Sequence, residues 1–540
     1  MIATSTVKKH LSVLDDAFWV IERPDGVRAT WSFPLTLAHL LADEDPVRSY
    51  PGLAAEQASH WHRFQVRCAA KALRVMSVRP EQLIGGNADA LAAELRAALA
   101  DAAGSADAWG LWSDNPAGAA FLQAPVFGGG APESAGYMRR PIADLTALIG
   151  SKEFERKSEA VRYMTALEVA YALIEFQGGV IFGGRGNYET QLTPSRSGKG
   201  SGVPFMSVRF PLRSGDTFRW GVRTVLDGWD AVQRTCGLRG DRWALWTLPW
   251  DADTPLPAAE LDPSFLPMAR LIRLRAPDEH GRFSNFVFKP SNASRVSDHT
   301  EGAMLGDPFT PTVPHPKRVG QYKVRGVMES GFTYPEVADL LGLGERGAPS
   351  PAVQAFFERG DSESIANVRV VFDGLAFEQG KTLGFFRREL PLPVDATTTL
   401  LFSNPDPLRR VHAHMLATIG QAKKILRAAS RIVLHGEPRP GAGDDAVASQ
   451  APLALDGFAE DSDQYFRFLF AAGSREAAGD DQWQLEWADQ VAAWARSVFD
   501  TVLPRLPAPG AQRLARETNA LDYLDWKLRD LGAGHSASSE

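Results

Sequence analysis

Glycine-rich stretches, one glutamine and a few cations are the residues of this chain best equipped to meet an anion. The stretch GLAFEQGKTLGFFRRELPLP, residues 374–393, carries Gln379, Gly380 and Lys381 where the chain must turn, then returns through an apolar run to Arg387 and Arg388. An amide, a glycine and an ammonium can bind a polar anion, but no nucleophile, acid–base pair or metal ligand stands beside them to do chemistry on it. Residues 178–202 hold two further glycine clusters. Gly178 and Gly179 would serve as the C-cap of a preceding helix, which leaves Gly183, Gly184 and Gly186 of FGGRGN unexplained. Such a surplus suits a backbone that approaches a ligand closely, with Arg185 as the charge; a structural turn is the alternative. SRSGKGSG, residues 195–202, comes near a P-loop and fails twice. Thr193 stands where the first glycine is required, and Gly200 follows Lys199 in place of the magnesium-binding hydroxyl. It reads as a surface loop or as backbone N–H groups facing a nucleic acid.

Other candidate chemistry is thinner. His60 with His62 and His412 with His414 are the close histidine pairs, but residues two apart on a helix do not share a face, so neither pair predicts a metal site. No Gly-x-Ser-x-Gly elbow and no Cys–His combination is evident. SKEFERKSE, residues 151–159, is a mixed-charge entry to the next helix. AKKILRAASR spaces Lys423, Lys424, Arg427 and Arg431 as a solvated helix face or a phosphate-tracking stripe. One enzymatic reading stays open: residues 178–202 as an anion cradle for a phosphorylated substrate, with Lys199 essential.

The elements that must position these residues follow from periodicity. Residues 11–32 predict two short strands around a turn at Pro24-Asp25-Gly26. Residues 33–46, 53–76 and AELRAALADAAG have helical spacing, and Phe121-Leu122-Gln123 looks like an anchor within a loop. Residues 158–176 predict a helix capped by Ser158 that leads into the glycine segment. ARLIRLRA and RFSNFVFKP alternate like strands of one sheet, the proline-rich 301–320 reads as an ordered loop, and 335–358 as helical. Residues 365–390 predict strand, tip, strand: a β-hairpin with a longer loop. From about residue 405 four amphipathic helices follow, interrupted by HGEPRPGAGDDAVASQAP. The fold class is therefore α+β: a large mixed N-terminal domain over 1–400, then a C-terminal four-helix bundle over 401–540.

Composition limits the partners. Hydrophobic residues make up 44% and charged residues 23% of the 540, as in an ordinary globular protein. No apolar run approaches the ~20 residues of a membrane helix, and no signal peptide is evident. Two cysteines, Cys68 and Cys236, support neither a disulfide framework nor a cysteine-rich zinc site, and point to a reducing cytoplasm. The net charge of −7 gives no bulk support to nucleic-acid binding, so any such contact must be a local basic patch.

The ordered set LDDAFWVIERPDG, FLQ at 121–123, a helix leading into FGGRG, ARLIRLR, GDPFTP at 306–311, GLAFEQGK and four terminal helices resembles the CasA family, the large subunit of the type I-E CRISPR Cascade complex. The resemblance spans nearly the whole chain. It implies a non-catalytic, cytoplasmic subunit of an RNA-guided antiviral complex, with no cofactor and no metal. Such a subunit recognises the protospacer-adjacent motif (PAM) in double-stranded DNA, helps open the duplex for the guide RNA, works with the other Cascade subunits and helps recruit the helicase-nuclease. Carried onto this sequence, the family's glycine loop falls on Phe182, Gly183 and Gly184, with Arg185 and Gly186 beside it. The loop before the preceding helix falls near Phe154, Arg156 and Lys157, and the wedge hairpin on Gly374 to Lys381, with Gln379 and Gly380 at its tip. Lys289 or Arg295 is the candidate basic residue for the minor groove, and Lys199 an added DNA contact. The sequence departs from the pattern in lacking the cysteine cluster of some members and in the length of NYETQLTPSRSGKG.

Overall fold

Pro24-Asp25-Gly26 turns the chain between antiparallel strands β1 (Trp19–Glu22) and β2 (Arg28–Trp31), with Gly26 at φ 82°. That conformation costs a glycine little. The computed structural model describes residues 11–43, 47–146, 160–179, 204–210, 214–296, 306–314, 322–344, 349–359, 368–378, 381–393, 404–438, 445–508 and 510–531. They divide into two compact units. The first comprises Met1–Phe332, Ala348–Phe356 and Asn367–Pro391; the second comprises Thr333–Gly347, Phe357–Ala366 and Leu392–Glu540.

In the first unit, α1 (Phe33–Ala42) is capped by Ser32, whose hydroxyl accepts from the Leu35 amide, and ends at Asp43 in the left-handed region. Helix α2 (Ala58–Met76) stops at left-handed Ser77, and α3 (Ala88–Ala102) starts at the Asn87 cap. Helix α2 packs against α3, against α4 (Ala166–Gly179) and against α5 (Ser214–Asp227). It therefore buries polar residues as well as apolar ones, among them His60, Arg63, Gln65 and Arg67. A short α6 (Trp229–Cys236) follows α5. The core is strongly aromatic. Trp19 stacks on Trp61 at 4.5 Å, Phe121 stacks on Trp109 at 5.9 Å, and Trp246 meets Trp109 edge-on at 5.4 Å. Such rings bury large apolar area with defined geometry.

The strands form small sheets. Strand β3 (Met138–Pro141) pairs with β8 (Asn285–Lys289), which pairs with β7 (Leu271–Leu274), so ARLIRLR and RFSNFVFKP do share a sheet. Strand β7 does not alternate, because all four of its residues are buried. Strands β5 (Arg242–Ala244) and β6 (Leu261–Leu266) are parallel, and β9 (Thr312–Pro314) pairs with β10 (Tyr322–Val324). The third sheet has the order β12–β11–β4, from β4 (Phe205–Arg209), β11 (Arg369–Glu378) and β12 (Lys381–Pro391).

The second unit is helical. Helix α7 (Tyr334–Leu340) is cut short by Gly342 at φ 77°, so the helical reading of 335–358 resolves into α7 and a separate helix, Pro351–Arg359, most of which belongs to the first unit. The long α8 (Asp406–His435) buries Leu408, Val411, Met415, Ile419, Ala422 and Leu426 along one stripe. Against it pack α9 (Gln450–Glu460), α10 (Gln464–Ala477), α11 (Trp483–Val502) and α12 (Arg513–Arg529). Helix α9 corrects the sequence reading, which took SQAP as part of an interruption between four helices. Pro452 sits in its first turn, where the amide has no intrahelical partner to lose. Lys423 pairs with Asp456 of α9 at 2.6 Å, so part of the expected basic stripe holds two helices together. Among the described residues no helix is long and apolar enough to cross a membrane.

Candidate nucleic-acid interface

Strands β11 and β12 pair from Arg369↔Pro391 to Glu378↔Lys381, with a register shift between Ala376 and Phe377. Only Gln379 and Gly380 separate the last pair, so the connection is shorter than the longer loop the sequence suggested. Those two residues lie outside the described residues. Among the described residues, strand β4 pairs β11 over Arg369 to Asp373, and residues 374–378 are paired by β12. Gly374 is therefore not at the tip: it lies opposite Phe386 within the ladder. The Phe386 ring packs onto Gly331, where φ is 67° and a Cβ would collide with it. The arginines that follow the tip are tied down at the root. Arg387 donates to Glu389 at 2.6 Å, and Arg388 to the Phe332 carbonyl at 2.9 Å. The described part of the hairpin is thus braced at its root, and the chain beyond Glu378 continues as Gln379, Gly380 and Lys381.

Helix α4 positions the start of the glycine segment. It begins at Ala166, later than the sequence reading of a helix over 158–176 capped by Ser158. Thr165 and Glu168 form a reciprocal capping box that sets this start: the Thr165 amide donates to Glu168 at 2.7 Å, and the Glu168 amide to the Thr165 hydroxyl at 3.4 Å. At the other end Gly178 and Gly179 are helical rather than a cap. A Cβ on Gly179 would run into the His60 ring, so the glycine is required by close packing. Burial lowers His60 to about 3, helped by the Arg63 charge, so the ring is neutral there. Phe154, Arg156, Lys157, Phe182, Gly183, Gly184, Arg185, Gly186 and Lys199 lie outside the described residues.

The short motifs spread along the sequence meet in this unit as a buried polar network. Gln177 of α4 donates to the Leu122 and Arg270 carbonyls at 2.8 and 3.0 Å and accepts from the Arg270 amide at 2.9 Å. Gln123 donates to the Leu111 carbonyl at 2.7 Å and accepts from the Leu274 amide at 2.6 Å. FLQ and ARLIRLR are thereby stitched to each other and to α4. Arg273 is buried and donates to the Gly118 and Asn115 carbonyls at 2.8 and 3.0 Å. Asp307 of GDPFTP faces Arg63 at 3.1 Å and Arg67 at 3.6 Å and accepts from Thr310 at 2.5 Å, all of them buried. Burial pushes its carboxyl up, but Arg63, Arg67 and Thr310 together hold it below the usual range. Arg63 also donates to the Pro204 carbonyl at 2.7 Å, at the entry to β4. Sequence reasoning singled out none of these polar contacts. The one available signal was the four-residue spacing of Arg63 and Arg67, which places both on one face of a predicted helix.

The two candidates for the groove contact part company. Lys289 closes β8 half-buried, its ammonium 3.4 Å from the Asp251 carbonyl. Arg295 is 3% exposed, lies over the Trp250 ring at 5.4 Å and donates to the Leu248 carbonyl at 3.3 Å. Burial lowers it to about 10. A guanidinium enclosed in this way is spent on packing and cannot reach a groove, which corrects its place among the DNA contacts.

No protein-family model matches the chain, and no curated protein matches it in sequence. Solved structures match it along its length. Cse1 from Acidimicrobium ferrooxidans is 16% identical, with a TM-score of 0.62 over 97% of this chain and 98% of that one. CasA from Thermus thermophilus is 15% identical, with 0.62 over 97% and 99%. Cse1 from Thermobifida fusca is 13% identical, with 0.62 over 97% and 98%. A chain of a CRISPR RNA-guided surveillance complex is 12% identical, with 0.53 over 96% and 99%. This chain therefore has the fold of the Cse1 (CasA) structures.

Proposed function

We propose that this chain is a non-catalytic CasA-type subunit of a type I-E Cascade complex in the cytoplasm. It recognises the protospacer-adjacent motif in double-stranded DNA, helps open the duplex for the guide RNA and helps recruit the helicase-nuclease. The observation that carries this reading is the likeness of fold to Cse1 and CasA structures over 97% of the chain, matched by 98–99% of theirs. The braced hairpin agrees with it. A glutamine on a two-residue turn can insert as a flat group between base steps. Unstacking costs a few kcal/mol, which contacts to the opened strands can offset. In the minor groove the base-pair pattern is degenerate, so a reader built from a glycine backbone, a lysine and an amide accepts several related motifs. The net charge of −7 leaves most of the phosphate attraction to the partner subunits.

The test is electrophoretic binding of the assembled complex, with and without this chain, to duplexes with randomised flanking motifs at a stated salt concentration. Motif-dependent binding conferred by the chain is the expected result. Gln379→Ala is expected to weaken duplex opening more than initial binding, and a bulky residue at Gly183 to abolish motif dependence. Identical binding and opening without the chain would overturn the reading.

A further inference from the structure

One face of the β12–β11–β4 sheet is polar. Alternation places Arg369, Val371 and Asp373 of β11, Arg387 and Glu389 of β12, and Phe205, Ser207 and Arg209 of β4 on it. The opposite face buries Val370 and Phe372 in the core. Three arginines meet one carboxylate there: Arg209, Arg387 and Arg369 lie 2.5, 2.6 and 3.5 Å from Glu389. Adding Asp373, 3.8 Å from Arg387, leaves this face with one excess positive charge. Beside the cluster is a pocket of about 130 Å³ between the sheet, the start of α2 at Ser59 and Thr217 of α5. Asp373 lines it and is 1% exposed, yet its Oδ1 has no hydrogen-bond partner among the described residues. A buried carboxylate oxygen left without a donor is costly, which marks it as a place where a ligand donor is welcome.

The geometry points to a nucleotide site: a base edge presenting an N–H or amino group to Asp373, with its phosphate on Arg209 at the pocket edge. The pocket far exceeds the ~30 Å³ share of a water molecule and falls short of the roughly 300 Å³ of a drug-sized site, so it suits one planar ring. Arg209 lines the pocket and is 41% exposed, open to an anion that a pocket carboxylate alone would repel. A nucleotide is the ligand class that joins a ring-sized donor to an anion at one end. The source is a free nucleotide or an unpaired nucleotide of a strand. The second source rests on the DNA-opening reading, because Asp373 lies about 17 Å along β11 from Glu378 at the tip.

The test is titration calorimetry on the full chain with dCMP, dAMP, deoxyribose 5-phosphate, inorganic phosphate and a short single-stranded oligonucleotide. The two nucleotides are expected to bind at least about tenfold tighter than deoxyribose phosphate. Asp373→Asn should remove about tenfold of that preference, the size of one charge-assisted hydrogen bond. Arg209→Ala, at the exposed edge, should weaken all phosphate ligands together, and it tests the site even where the Asp373 variant does not fold. Equal binding of the base-free phosphates, or a base preference unchanged in Asp373→Asn, overturns the proposal, as does no binding at millimolar nucleotide. An oligonucleotide that binds much tighter than the monophosphates identifies a strand as the source, and equal affinity a free nucleotide. Neither arm needs the assembled complex, so failure of motif recognition and failure of this site are read separately.

Discussion

Asp307 is the residue whose removal tests the internal architecture most sharply. Its side chain is fully buried between Arg63 and Arg67, themselves only 3% and 1% exposed. Truncation by Asp307→Ala leaves both guanidiniums in the interior without their counter-charge. Arg63 keeps the Pro204 carbonyl and Arg67 the Phe265 carbonyl, but neutral acceptors do not replace a carboxylate. Breaking a buried ion pair from one side costs about 3–5 kcal/mol, at least a fifth of the ~5–15 kcal/mol that stabilises a typical domain. Asp307→Asn retains the shape and removes the charge, so most of the loss should persist. Urea unfolding of the full chain, followed by tryptophan fluorescence, reads the result as a midpoint lowered by up to about 1 M, because the slope rises with the size of the unit. Replacing both arginines by methionine and Asp307 by leucine should recover most of it, since an apolar substitute carries no desolvation cost. A loss below about 1 kcal/mol for both single variants would refute the reasoning. The carboxyl is held below its usual range, so this contribution is present at neutral pH and is lost only as the pH falls below the ordinary carboxylate region.

Gly179→Ala should destabilise by about 1–3 kcal/mol, although alanine is the better helix former, because its methyl group meets the His60 ring. A second change, His60→Ala, should then make the glycine replaceable, and a double-mutant cycle showing no coupling would sink the packing argument. Burial pushes Asp373 up to about 6 against the lowering influence of Arg387 and Ser59. Its native pKa exceeds the unfolded one, so the protonated fold is favoured below about pH 4, and about 3 kcal/mol of that advantage is lost as the pH rises through 6. Asp373→Asn should flatten the stability profile across that window, and an unchanged profile counts against the buried, under-paired carboxylate.

Periodicity and turn chemistry were sufficient for much of the fold. The β1–β2 turn at Gly26, the α1 helix after Ser32, the paired β7 and β8, the β11–β12 hairpin and the long α8 are each written in local residue types, because capping, alternation and left-handed glycine act over a few neighbours. The same locality explains the misses. Ser158 looks as good a cap as Thr165 until the Glu168 carboxylate is seen to close the box, and Pro452 looks like a breaker until its place in a first turn is known. The hairpin itself was legible in its two strands, but the tightness of its connection came from the register Glu378↔Lys381, which depends on pairing along the whole ladder. The roles of Asp307, Gln177 and Gln123 were beyond the sequence, because each partner lies far along the chain and only packing around α2 brings them together. So was the enclosure of Arg295 beside Trp250: a cation in sequence is a potential anion contact, and tertiary burial decides whether its charge faces a ligand or the protein's own carbonyls. Local chemistry thus determined the elements and the kinds of residue at their ends. Which polar groups became structure and which stay at the surface was decided by desolvation in three dimensions.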